Sequence, residues 1–389
     1  MRTAIIHDWL VTYGGADRVL EQMLVCFPDA ELFSLVDFLP PGERGFIFDK
    51  EVQTSFLQNL PFAAAWFRKC LPLLLLAVEQ FDLSAYDLVI SNSHSVAKGV
   101  ITGPDQLHIC YCHSPMRYAW DLQHQYLQEA GLDKGIAGWA ARWMLHRGRI
   151  WDVRTANGVD EFIANSQFIA RRIWKAYRRE ATVIYPPVEI DSFEVEEQKE
   201  DFYVTVARLV PYKKVNVIVE AFNRMPDKKL IVIGDGQGFA QLQSIAKPNI
   251  SLLGFQKAGV LRQYLSRARA FLYAAEEDFG IGMVEAQACG TPVIAFGKGG
   301  ALETVRDASL GDPTGLFFEG QTAEAVIRAV DIFEDGPGFD PVACRRNAER
   351  FSSQRFRKEF RDFCEGIIGR SAPKVASEGL VSHLAGNVE

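Results

Sequence analysis

At 389 residues, with 48% hydrophobic and 23% charged side chains, the chain has the make-up of a globular enzyme and more length than one core usually holds, so two domains of about 150 to 200 residues are expected. The longest strongly apolar run, Cys70 to Val78, has nine residues and contains Pro72, too short for a membrane span, and Asp8 arrives too early for a signal peptide, so the chain is expected in the cytoplasm. The net charge of −7 hides a local balance of +7 over residues 134–179, which suits an anionic partner such as a membrane surface or a phosphorylated acceptor more than nucleic acid, or else a solvated helix face balanced by acids from elsewhere in the fold, and seven cysteines without a C-x-x-C pair read as free thiols rather than a zinc site.

Thr3 to His7 reads as a first strand, and Gly14 and Gly15 separate it from an apolar helix over about Ala16 to Phe27. Adjacent glycines there either let the backbone approach a ligand or simply make a tight turn. Further strands are expected at Glu31 to Val36, Leu88 to Ser91, Leu107 to Cys112 and Phe162 to Ala164, with helical segments between, an alternation that implies a parallel sheet covered on both faces. Residues 56–81 are unusually apolar and aromatic, broken by Arg68 and Lys69, and suit core helices or a shallow membrane contact. Gly138 to Ala156 interleaves Trp139, Trp143 and Trp151 with Arg142, Arg147, Arg149 and Arg154, which fits a headgroup region, an acceptor's pyrophosphate and sugar rings, or a helix packing its Trp face inward. His113 stands on a loop just past a strand end, where function concentrates.

Tyr185-Pro186-Pro187 closes this half, and the acidic stretch Glu194 to Asp201 reads as a surface linker. The alternation then restarts with strand Phe202 to Ala207, a helix over about Val215 to Arg224, strand Lys229 to Ile233, the turn Gly234-Asp235-Gly236, strand Ile250 to Leu253 and helix Gly259 to Ala268. Arg208 ends the first of these strands and Lys213 and Lys214 open the next helix, a spacing that suits either a diphosphate clamp or a surface Lys-Lys pair. The most informative stretch is Phe271 to Phe296. A buried strand leads through an acidic turn with Gly280 into a helix over Ile281 to Ala288, and Gly290 and Pro292 hand over to a second strand at Val293. A helix opening at a strand's carboxyl end favours an anion, and Glu277 and Glu285 beside it suggest a ligand with hydroxyls as well as phosphate, a nucleotide sugar. A solvated acidic turn and an unrelated helix glutamate is the other reading. A helix after Gly299-Gly300, a short strand at Gly315 to Phe318 and a charged amphipathic helix over 351–368 complete the order.

Taken together, ARLVPYKK, VIGDG, LGF, EEDFGIGMVEA and GTPVIAF, with GGADRV and CHSPMRY before them, resemble the retaining glycosyltransferases of family 4 along nearly the whole chain, and among them the bacterial mannosyltransferases of surface-polysaccharide assembly. The resemblance implies an α/β architecture of the GT-B type, two facing Rossmann-like doubly wound parallel-sheet domains with a cleft between them. Its parts would be an acceptor-side domain over 1–187, a donor-binding domain over 188–350, a C-terminal helix over 351–369 packing back on the first domain, and a mobile tail over 370–389.

The roles also follow from the resemblance. Glu277 would face the donor sugar's hydroxyls and Glu285 the ribose; Arg208 and Lys213, or Lys214 beside it, would bind the diphosphate; His113 would lie near the reaction centre. Gly14 and Gly15 would run under the phosphates, Gly254 and Phe255 would meet the base, and Gly234, Gly236, Phe279, Gly280 and Ile281 would complete the donor site. Asp278 and Gly282 depart from the family's usual glycine and proline. The implied reaction moves a hexose, mannose from GDP-mannose or a sugar from a UDP donor, onto a lipid-linked saccharide for O-antigen, capsule or exopolysaccharide, at the inner face of the plasma membrane. A phosphate oxygen helps as base in the family's front-face step. No Asp-x-Asp occurs, so no metal or other cofactor is expected. A sugar-nucleotide 2-epimerase and a non-catalytic nucleotide-sugar-binding protein are the alternatives.

Overall fold

The computed structural model describes residues 1–371, so the tail expected over 370–389 lies, beyond its first two residues, outside the described residues. The first domain is a seven-stranded, all-parallel sheet of β1 (Thr3–His7), β2 (Glu31–Ser34), β3 (Val52–Thr54), β4 (Leu88–Ser93), β5 (Leu107–Cys112), β6 (Glu161–Ala164) and β7 (Thr182–Val183), ordered β3-β2-β1-β4-β5-β6-β7. Its helices are α1 (Gly15–Cys26), α2 (Ala63–Trp66), α3 (Leu71–Val78), α4 (Gln123–Glu129), α5 (Gly135–Ala156) and α6 (Gln167–Tyr177). The second domain is a six-stranded parallel sheet of β8 (Tyr203–Val206), β9 (Leu230–Ile233), β10 (Ile250–Gly254), β11 (Ala270–Tyr273), β12 (Val293–Phe296) and β13 (Gly315–Phe318), ordered β10-β9-β8-β11-β12-β13. Around it lie α7 (Val215–Phe222), α8 (Phe239–Ile245), α9 (Ala258–Arg267), α10 (Ile281–Ala288), α11 (Ala301–Thr304), α12 (Ala323–Asp335) and α13 (Pro341–Glu349), and α14 (Ser353–Ser371) follows.

Period-two alternation sends successive residues of each strand into different cores. Ile5 joins Leu20, Ile90 and Tyr111 on the α1 face, whereas Ala4 and Ile6 join Phe33, Val89 and Leu74 on the α3 face. The second sheet is likewise covered on both sides, which is why its strands read as continuous apolar runs. α14 crosses back: Phe356, Phe360, Cys364 and Ile367 complete the first domain's core beside α1. The apolar segment 56–81 turns out to be mainly interior, with Leu57, Phe67, Leu74 and Val78 buried and α3 packed on α5, while Phe62 and Leu76 stay exposed. Among the described residues no helix is long and apolar enough to cross a membrane.

In both sheets the strand order reverses beside the first strand, between β1 and β4 and between β8 and β11. Loops leaving the carboxyl ends on either side of such a reversal diverge and open a crevice. The two crevices face each other.

Candidate functional site

Between the domains lies a cleft of about 380 Å³ lined from the first domain by Gly15, Ala16, His94, His113, Arg117 and Asn165 and from the second by Lys213, Tyr273, Glu277, Asp278 and residues 279–283. The second-domain wall is the turn after β11. Gly280 takes φ 94°, a left-handed conformation that glycine alone adopts without strain, and so turns the chain sharply into α10. The first turn of α10 thereby presents unpaired N–H groups to the cleft, the positive end of the helix dipole. Gly15, the first residue of α1, comes so close that a Cβ there would lie 3.2 Å from the Ile281 side chain.

Glu277 is the buried charge of this wall. Lys213 Nζ pairs with its Oε1, and the Tyr273 hydroxyl donates to the same oxygen at 2.5 Å and accepts from Lys213 at 3.0 Å. Burial works against the carboxylate, but the ammonium and the phenol outweigh it and hold the group below the usual range. Across the cleft, His113 Nε2 lies 2.6 Å from Asn92 Oδ1, whose amide nitrogen in turn faces His7 Nδ1 at 3.1 Å, and His7 Nε2 lies 3.2 Å from Asp17. Burial, with His94 and His7 adding to it, pulls His113 down to about 3, so its imidazole is neutral and turns an Nε2–H toward Asn92.

Two polar ties cross between the domains here. Asp278, in the turn itself, meets Arg172 at 3.1 Å and Arg117 at 3.4 Å, and its carbonyl accepts from Ser166 Oγ at 2.6 Å. Burial lifts the Asp278 carboxyl above its ordinary value despite both guanidinium groups. Arg18 of α1 reaches Glu285 of α10 at 2.6 Å.

The family profile described as "Glyco_transf_4: Glycosyltransferase Family 4" matches residues 13–192, and that described as "Glycosyl transferases group 1" matches residues 188–351. The chain belongs to the GT-B glycosyltransferases. It is similar to a D-inositol 3-phosphate glycosyltransferase of Mycobacterium sp. (strain JLS), 24% identical over 52% of this chain and 51% of that protein. It is also similar to a GDP-mannose-dependent monoacylated alpha-(1-6)-phosphatidylinositol monomannoside mannosyltransferase of Corynebacterium glutamicum, 29% identical over 54% of this chain and 63% of that one. The match thus spans about half the length of the inositol relative. Among solved structures, Anabaena HepE with UDP and glucose superimposes with a TM-score of 0.67 at 18% identity, covering 94% of this chain and all of HepE. Sucrose-phosphate synthase from Thermosynechococcus elongatus gives a TM-score of 0.70 at 16% identity, covering 95% of this chain and all of the synthase, and at these identities the likeness establishes the fold.

Not every residue expected in the donor site of this glycosyltransferase lines the cleft. Gly15, His113, Lys213, Glu277, Phe279, Gly280 and Ile281 do. Gly14 caps α1, its N–H donating to Asp17 at 2.9 Å. Arg208 is exposed just outside and bonds the Tyr212 hydroxyl at 3.0 Å. Lys214 takes φ 55°, a left-handed conformation that glycine adopts more readily, and opens on a separate pocket of about 550 Å³ with Glu129 and Gln241. Gly234 and Gly236 are glycines for packing: a side chain would strike the backbone of Ala207 at the first and Leu209 at the second. Gly254 turns at φ 67° and leaves Phe255 exposed, and the Phe279 ring packs against Tyr185 and Phe351. Glu285, expected to face a ribose, is paired with Arg18 instead. His94, Arg117, Asn165 and Tyr273 were not singled out from sequence, and only the strand-end positions of His94 and Asn165 offered a signal.

The basic island is also less free than its composition suggests. Arg142, Arg149 and Arg179 donate to backbone carbonyls, Arg154 pairs with Glu79, and Arg172 with Asp278 and Asp121. Its acids come from elsewhere in the fold.

Proposed function

We propose that this glycosyltransferase moves a hexose, mannose from GDP-mannose, onto a hydroxyl of a lipid-linked saccharide in surface-polysaccharide assembly, with retention at the anomeric carbon and without a metal. The observation that carries this reading is the pair of Lys213, after β8, with Glu277, after β11, set beside the open N-terminus of α10 and facing His113 across the cleft. In the proposed complex Lys213, the helix N-terminus and Arg208 swung inward would meet the charge that builds on the departing diphosphate. Glu277 would accept from sugar hydroxyls, and domain closure would keep water from the donor. Among the described residues no three His, Cys, Asp or Glu side chains cluster to hold a metal ion. Mannose rests on the Corynebacterium relative's GDP-mannose dependence. A UDP-sugar donor is the second reading, favoured by the likeness to HepE, whose structures hold UDP and UDP-glucose.

The membrane part of the proposal rests on α5. Ile136, Trp139, Trp143 and Ile150 recur at helical spacing on its exposed side, with Arg147 over the Trp143 ring, an aromatic and basic stripe that suits anionic headgroups. Co-sedimentation with phosphatidylglycerol vesicles, weakened in Trp139→Ala/Trp143→Ala and by added salt, is the expected result; equal binding by both proteins would remove the membrane from the account.

Thermal shifts with GDP, UDP, ADP and their sugars test the donor, since a ligand at 100 times its Kd adds about 2.7 kcal/mol. Stabilisation by GDP and GDP-mannose alone supports the first reading, by UDP compounds the second. A 2-epimerase would convert donor with no acceptor present, and a non-catalytic binder would turn over none.

A further inference from the structure

β4 carries a residue that its setting does not call for. All six positions of the strand are buried, and Asn92, with none of its surface exposed, sits in register between His7 of β1 and Tyr111 of β5. A carboxamide is a poor strand former and costly to bury unless both its nitrogen and its oxygen find partners. Here they do. The amide nitrogen donates to the Ala16 carbonyl at 2.9 Å and faces His7 Nδ1 at 3.1 Å, while Oδ1 lies 2.6 Å from His113 Nε2.

The partners fix the direction of every bond in this network. A backbone carbonyl only accepts, so the atom facing Ala16 has to be the amide nitrogen, and Oδ1 is left for His113. An amide oxygen also only accepts, so His113 carries its proton on Nε2. His7 receives the amide on Nδ1 and turns Nε2 toward Asp17 at 3.2 Å, and Asp17 accepts from Gly14 N at 2.9 Å, back at the start of α1. Asn92 thereby ties His113 to the segment of Gly15 and Ala16 that lines the same cleft. Burial keeps the His113 imidazole neutral down to about pH 3, so its second nitrogen is bare. Among the described residues nothing hydrogen-bonds His113 Nδ1, and the residue stays partly exposed in the cleft. A bare ring nitrogen accepts and cannot donate, which suits a hydroxyl and not a phosphate oxygen.

We propose that Asn92 is a positioning residue of the transfer reaction, holding His113 so that its Nδ1 accepts a hydrogen bond from a hydroxyl of the transferred hexose. This deepens the reading of the cleft as a glycosyl-transfer site and rests on it. His113 stays neutral and exchanges no proton in the step, which leaves the base to the donor phosphate oxygen. The two walls then divide the donor between them: Lys213 and the α10 N-terminus offer donors to the charged phosphates, and His113 offers an acceptor to the sugar. The titratable groups around His113 within its own domain are His7, Asp8, His94 and Tyr111. Arg117, Lys213, Glu277 and Asp278 line the cleft it faces.

The test uses the full-length chain and needs no natural acceptor, because water can take its place. In the wild type, nitrogen NMR of the histidine rings, with His113 identified by its absence from His113→Gln, should show a proton on Nε2 and a bare Nδ1 throughout the neutral range. Nucleotide release from GDP-mannose and UDP-glucose gives the kinetic readout. Asn92→Ala is expected to lose about 10 to 10² in rate, the scale of one buried polar group left unpaired, with thermal shifts by GDP and UDP as in wild type. Asn92→Asp sets a carboxylate against the imidazole, which favours its charged form and turns Nδ1 from acceptor into donor. Its rate should therefore fall on acidification more steeply than that of wild type and recover in base. Deoxy analogues of both donors, each lacking one sugar hydroxyl, locate the contact: one of them should be a poor substrate for wild type, and Asn92→Ala should discriminate against it less. If neither variant folds, the wild-type spectrum and the wild-type response to the deoxy donors decide. A proton found on Nδ1, an Asn92→Asp profile that follows wild type, or equal tolerance of every deoxy donor by wild type would overturn the assignment. A wild type that binds nucleotide yet releases none from either donor would instead bring down the glycosyl-transfer reading, and this inference with it, whatever the ring spectrum shows.

Discussion

Lys213 and Glu277 neutralise each other inside the cleft, and their values differ when they are removed one at a time. Truncating Lys213 leaves a buried carboxylate with only a phenol on it and the guanidinium of Arg117 farther off, a situation that costs up to about 3–5 kcal/mol, whereas the double variant Lys213→Ala/Glu277→Gln leaves no stranded charge. We expect Lys213→Ala to be clearly less stable than the double variant in urea unfolding, and equal stabilities would show that the pair is not coupled. Both should lose on the order of 10² or more in turnover, the scale of one lost transition-state contact. Buried histidines set the pH response. Burial lowers His108 to about 4 and His113 to about 3. Between those values and the ordinary 6.5 the unfolded chain binds protons that the folded one does not, so stability rises with pH across this window and falls on acidification. Each histidine contributes about 1.4 kcal/mol per pH unit there. Unfolding free energies that stay level from pH 7 to pH 5 would contradict this.

The strand-turn-helix of β11 and α10 was the most legible element, because glycine at both helix ends and proline before β12 punctuate an apolar run without ambiguity. Less was legible where an element has little sequence of its own. β3 and β7 are three- and two-residue edge strands, too short to show alternation, and they exist because β2 and β6 offer an unpaired edge. Contacts made late in the chain were invisible: Arg18 and Glu285 are 267 positions apart, and no local pattern announces their pairing. The turn ahead of α7 shows how one residue can mislead. Lys213 and Lys214 are chemically alike, and only the left-handed backbone at Lys214 decides which faces the cleft. Lys214→Gly should therefore relieve an αL penalty of about 1–2 kcal/mol while adding chain entropy of roughly half that, leaving stability equal or slightly higher. Turnover should survive, in contrast to Lys213→Ala. A Lys214→Gly variant as inactive as Lys213→Ala would mean that both ammonium groups serve the site.

At the scale of the whole molecule, most of the ties that join the two domains around the cleft are polar, beside the ring contact of Tyr185 with Phe279. Glu303 of α11 caps the N-terminus of α6, accepting from Gln167 N at 2.7 Å and Phe168 N at 2.9 Å; Arg18 meets Glu285; Asp278 sits between Arg117 and Arg172. Water can replace each such contact at small net cost, unlike an apolar interface, so the domains can part to admit ligands and close again. α14 acts differently, since its apolar face belongs to the first domain's core and ties the second domain on by a hinge it does not release. Asp278 is the tie that stands in the cleft turn itself, where the resemblance would put a glycine. Its burial between two guanidinium groups of the first domain makes it a strut toward closure, and Asp278→Gly removes the second domain's ion-pair partner for both Arg117 and Arg172. The variant should spend more time open. Small-angle scattering without ligand should give a larger radius of gyration than wild type, and saturating nucleotide sugar should bring the two together, with a higher KM and a smaller change in kcat because closure must now be driven by the ligand. Identical scattering in the two unliganded proteins would mean that Asp278 shapes only its own loop, and that Arg18 and Glu303 suffice to hold the domains.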